Sequence, residues 1–160
     1  MSVLADYLAG EAVHLRAEAE QRKAAKLDWQ RAMQDLVHQM IAWLTAADPE
    51  QLLRLRQTDN LIEDYDVGRH VLKGLTITLG RNTVRVVPYP LPVVGVIQPP
   101  GEAAPRRIDG RVDLETATER VPVYLVRTGG RDVWLWWTHG AVGTPFDKES
   151  FERTVVGLLR

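Results

Sequence analysis

The sequence predicts an α+β fold: a long N-terminal helix, a short second helix, an antiparallel sheet of about five to six strands, and a C-terminal helix. Three observations carry this reading. Residues 11–48 contain neither glycine nor proline. Between Thr58 and Thr138 apolar and polar residues alternate along short runs. Asp147 stands at the head of a final run whose apolar residues, Phe151, Val155, Leu158 and Leu159, recur at helical spacing.

Ala, Glu, Gln, Arg, Lys, Leu and Met dominate the first of these stretches, and such side chains lose little rotamer freedom in a helix. Trp29, Met33, Leu36, Met40 and Trp43 follow one another at steps of four and three, and Val37, Ile41 and Leu44 widen the stripe into a core-facing band. Before Trp29 the stripe thins to Leu4, Leu8, Ala12, Leu15, Ala19 and Ala25, with Arg22 set into it. One helix over residues 11–48 would be roughly 57 Å long at 1.5 Å per residue, against about 40 Å for a compact domain of this size. Residues 1–26 are therefore expected to overhang.

Asp48-Pro49-Glu50-Gln51 has the form of a fresh helix start, with a capping aspartate, proline at the first helical position and a glutamine to complete a capping box. A short second helix to about Gln57 is expected, and the sheet region is placed at residues 58–140. Leu75, Ile77 and Leu79 lead through Gly80-Arg81-Asn82 into Val84–Val87, a hairpin pattern. Leu91–Ile97 is a third strand candidate, and the proline-rich stretch after it, Gln98–Pro105, reads as a surface loop. Ile108, Gly110, Val112 and Leu114 alternate with Arg107, Asp109, Arg111, Asp113 and Glu115, giving one strand a wet face. Val121–Arg127 and Val133–Thr138 flank two glycines as a second hairpin. The latter strand, with Trp134 and Trp136 on one face and Leu135 and Trp137 on the other, is apolar on both sides and has to be covered twice. Over residues 147–159, Asp147 caps the last helix and Phe146 is placed to staple onto Phe151.

The whole, residues 1–160, reads as a single α+β domain. Hydrophobic residues make up 45% and charged residues 26%, as in ordinary globular chains. The formal net charge of −1 gives no overall positive field to attract nucleic acid or an anionic membrane. Cysteine is absent, which excludes thiolate chemistry and fits a reducing compartment. No signal-like or membrane-spanning run is present in the sequence, so a cytoplasmic location without membrane contact is the expectation.

No catalytic residue can be assigned. The four histidines, His14, His38, His70 and His139, show no ligand-type spacing, and neither a metal nor a cofactor is expected. His139, at the end of the tryptophan-rich strand, is the one histidine placed where a binding loop would be. Glu63-Asp64-Tyr65-Asp66, followed by Gly68 and His70, fails the EF-hand pattern, since Arg69 and Leu75 occupy the places of its glycine and glutamate. It reads as a solvated connector. The only serines, Ser2 and Ser150, lie outside any nucleophile elbow, and the glycine pairs precede no phosphate-binding lysine.

The leading expectation is a non-enzymatic interaction or assembly module. It would engage a protein partner or a second copy through the N-terminal helix, at Leu4, Leu8, Leu15, Ala19 and Trp29. Two alternatives stand beside it. One is a nucleic-acid-associated accessory protein using Arg106, Arg107, Arg111 and Arg120, with Trp134 and Trp136 elsewhere in the sheet as stacking rings; the acidic residues between those arginines speak against it. The other is a small enzyme or ligand-binding protein with a pocket near His139. The spacing around Met40 yields a direct test: Met40→Asp should unfold the protein or abolish its assembly, because it sets a carboxylate in an apolar seam. A soluble variant of unchanged melting temperature and mass would refute the stripe.

Overall fold

Without a glycine or proline to stop it, the first stretch folds as a single helix, α1, Val3–Ala47, whose 45 residues span about 67 Å. The computed structural model describes residues 2–65, 68–137 and 142–160. Ser2 caps the start of α1, its hydroxyl accepting from the Ala5 amide. The buried residues of this helix run from Trp29 to Leu44, and none precedes Trp29. The expected stripe is thus the buried stripe, with Ile41 and Trp43 partly covered at its margin.

The strands among the described residues are β1 Arg54–Asp64, β2 Gly68–Leu79, β3 Asn82–Pro88, β4 Val96–Ile97, β5 Arg106–Arg107, β6 Gly110–Glu115, β7 Arg120–Thr128, β8 Arg131–Trp137 and β9 Gly143–Pro145. They are followed by the helix α2, Lys148–Leu159. Seven form an antiparallel sheet in the order β1-β2-β3-β6-β7-β8-β9, and β4 and β5 pair separately. The sheet is larger than the five to six strands expected. Both anticipated hairpins are present. Gly80, at φ 61°, turns β2 into β3, and Gly129 and Gly130, at φ 57° and 75°, turn β7 into β8.

Three expectations are overturned in whole or in part. No second helix follows Asp48. Its carboxylate does accept from two amides, Leu52 and Leu53, at 2.8 Å each, but Gln51 takes a φ of 56° and ends any helical turn. Leu53 and Leu55 then alternate with Arg54 and Arg56 and pack on the core, so period-two burial prevails over the capping signal. The acidic run is a solvated connector only in part, since Glu63 and the 90%-exposed Tyr65 face solvent, Asp64 does not, and Asp66 lies outside the described residues. Glu63 and Asp64 end β1, His70 lies in β2, and Asp64 and His70 are buried. Finally, Leu91–Ile97 is an irregular segment in which only Val96 and Ile97 pair, with Arg107 and Arg106.

One core lies between the sheet and the two helices. Leu72, Leu75, Ile77, Val84, Val86, Val112, Leu114, Val123, Leu125 and Trp136 meet the α1 stripe and Phe151 and Val155 of α2. Trp29 seats α1 on β6. A Cβ added at Gly110 would lie 2.5 Å from the Trp29 ring, so only glycine allows this approach. The other face of β7 and β8 carries Tyr124, Val126 and Leu135, covered by Ile97 and Ile108 with Val93. The second cover required by the tryptophan strand thus comes from the chain itself.

At α2 the Asp147 cap and the Phe146 staple are in place. The Ser150 amide donates to Asp147 Oδ1 at 2.8 Å, the Asp147 amide donates to Ser150 Oγ at 3.0 Å, and the Phe146 and Phe151 rings lie 5.7 Å apart. These bonds from Ser150 hold the Asp147 carboxyl below its usual range. Trp136 also donates its indole N–H to Ser150 Oγ, tying the cap to β8. Phe151 is fully buried, and Phe151→Ala should cost about 3 kcal/mol of stability. Coincident denaturant midpoints for variant and wild type would contradict this packing.

Candidate functional site

The exposed half of α1 is the feature that the core does not use. Leu4, Leu8 and Leu15 are 63%, 53% and 59% exposed, and Val3, Tyr7, Val13 and Leu27 stand in solvent as well. Ala19 is also exposed. Of the five residues assigned to partner binding, the structure brings these four onto one uncovered helix. Trp29 is separated from them, being 1% exposed with its ring 6.2 Å from Trp134. It is a core residue. Its spacing fits the exposed seam and the buried stripe equally, and only the sheet decides between them.

Below Trp29, a cleft of about 800 Å³ opens between α1 and β8. Trp43, Trp134 and Phe146 line it, and Arg31 reaches across it to Asp132 at 3.2 Å while also holding Asp28 and Asp35. The hydrogen bond to Asp28 leads the contacts that raise the Arg31 pKa. Asp28 and Asp132 are shared with Arg127 of β7. These groups neutralise one another and brace α1 against the sheet.

The arginine–tryptophan surface is not assembled. Trp134 and Trp136 face the helices, whereas Arg106 and Arg107 belong to β5. Arg111 and Arg120 are both engaged by acids. Arg111 Nε donates to Asp113 Oδ1 at 2.8 Å, and its guanidinium lies 4.5 Å from the Tyr89 ring centroid and 5.8 Å from that of Tyr124. Burial is the largest single influence on Arg111 and opposes its charge, but the hydrogen bond and the charge of Asp113 together with Tyr124 and Tyr89 outweigh it, and the pKa is raised. Arg120 pairs with Glu115 at 3.4 Å, and Glu115 in turn holds Arg85 at 3.0 Å.

Sequence reasoning missed the pair Asp64 and His70, whose side chains have no exposed surface. His70 Nε2 lies 3.5 Å from Asp64 Oδ2, and Nδ1 lies 3.1 Å from the Gly68 carbonyl oxygen, a contact that requires a proton on Nδ1. The signal was the β1–β2 hairpin itself, which sets Ile62 opposite His70 and Asp64 opposite Gly68. Without access for a substrate, this pair ties the end of the hairpin. His139 lies outside the described residues. Among the described residues no three His, Asp or Glu side chains gather as a metal site, and no helix is long and apolar enough to cross a membrane.

Comparison with protein-family models, curated proteins and solved structures finds no match. The arrangement of Arg111 between two tyrosines and the 4%-exposed Asp113 predicts unequal roles for the outer-face arginines. Arg111→Gln should lower the thermal midpoint clearly and Arg85→Gln only slightly. Equal shifts in a melting experiment would show that burial of Asp113 is not what matters.

Proposed function

We propose that this protein is a non-enzymatic interaction or assembly module that engages another helix through the N-terminal half of α1. The observation that carries the reading is the run of large apolar side chains left in solvent over residues 3–27, on a helix whose second half is fully used by the core. A solvated helix of this length gains little from propensity alone, and burial of an apolar face is what normally sustains it. The half-helix offers a thin seam of leucines with alanines between them, which suits close approach of another helix better than a sheet. Its charges are mixed, Glu11, Glu18 and Glu20 against Arg16, Arg22, Lys23 and Lys26, so the contact would respond to salt.

The test is a paired substitution, Leu8→Asp with Leu15→Asp, in the full-length chain. Both residues are exposed, so the melting temperature should stay within a few degrees of wild type. Association with whatever the helix engages should be lost, as followed by sedimentation and by affinity capture from the native host. Retention of every wild-type association by the variant would refute the reading.

A further inference from the structure

Resting on that reading, we infer that the helix which covers residues 4–28 is the same segment of a second copy, running antiparallel in one defined register. The first argument is azimuth. Leu8, Leu15, Arg22, Trp29, Leu36 and Trp43 recur every seven residues, and Leu4, Glu11, Glu18 and Ala25 stand four residues before the last four positions of that series up to Trp29, so the exposed seam continues the buried stripe on nearly the same side of α1. From Trp29 onward that side belongs to the sheet.

A partner helix laid on the seam can therefore run along residues 4–28 only until it meets the body. In a parallel pair the partner's own Trp29 and everything packed on it would come to the same level, with helix axes about 8–10 Å apart, and the two sheets would claim one space. An antiparallel partner avoids this. Its body lies beyond the start of α1, and its chain start arrives where the sheet begins.

The second argument is charge. In an antiparallel coiled coil the two kinds of seam position meet each other, so the register that sets Leu8 of one copy against Ala25 of the other also sets Glu11 against Arg22 and Leu15 against Glu18. Each layer occurs twice by the two-fold symmetry. Glu11 and Arg22, the charges that make the seam a poor one for an apolar surface, thus become partners. In a parallel pair Glu11 would face Glu11 and Arg22 would face Arg22. Glu18 is held 3.2 Å from His14 of its own helix, which tempers its place beside Leu15.

The experiment is charge reversal in the full chain, read by analytical ultracentrifugation at low and moderate salt. Wild type should sediment as a species of twice 18.0 kDa and dissociate on dilution or added salt. Glu11→Arg alone and Arg22→Glu alone should each weaken the dimer roughly tenfold or more, because two symmetry-related pairs turn from attractive to repulsive. Thermal midpoints should not change at a protein concentration low enough for wild type to be monomeric. The doubly reversed chain should recover wild-type affinity, and an equimolar mixture of the two single variants should form a mixed dimer. A monomeric wild type, or a dimer indifferent to either single reversal, overturns the self-pairing. If wild type is monomeric but the Leu8→Asp, Leu15→Asp chain still loses a captured protein, self-pairing alone fails. If capture is also unchanged, the wider reading fails with it.

Discussion

The seating of Trp29 on Gly110 is the contact on which the rest of the architecture depends. An indole on a strand needs a gap in the side-chain layer, and β6 supplies it at one position only. That contact fixes how far along its length α1 enters the body, and so divides the helix into a buried part and a free part. It also brings Asp28 beside Arg127 and Arg31 beside Asp132, so that a belt of ion pairs forms where the helix crosses β7 and β8. Moved one turn along its axis, α1 would lose both the glycine shelf and the belt.

Much of this was legible in the sequence because it is local. The stripe from Trp29 to Trp43, the cap and staple of α2 and the two glycine-marked hairpins all depend on residues within a few turns or one reversal of the chain. What was not legible depends on partners far away. Asp48 and Pro49 carry the chemistry of a helix start, yet Leu53 and Leu55 are claimed by the core and the segment becomes extended. Alternation sets Ile108 on the same side as Val112, but it turns to the second cluster with Ile97 and Leu135. As for the candidate site, the four uncovered residues could be named from composition, but Trp29 could not be separated from them by spacing alone.

The sheet keeps its two faces chemically distinct without leaving charge in excess. Toward the helices it is apolar apart from the Arg127 and Asp132 end that pairs with Asp28 and Arg31 of α1. On the far side the arginines of β3, β6 and β7 alternate with acids across neighbouring strands, and each acid is shared. Such a surface is well hydrated yet has no dominant sign.

The placement of α2 has a consequence for how the chain acquires its shape. Trp43 meets Phe146 and Phe151 at 5.6 Å, residues that emerge from the ribosome about a hundred positions later. Most of the α1 stripe can be covered earlier, by β2 and the strands that follow it, but its Trp43 end lacks its aromatic neighbours until α2 has been made. The helix is thus closed over in sequence, from the sheet side first and at its C-terminal end last.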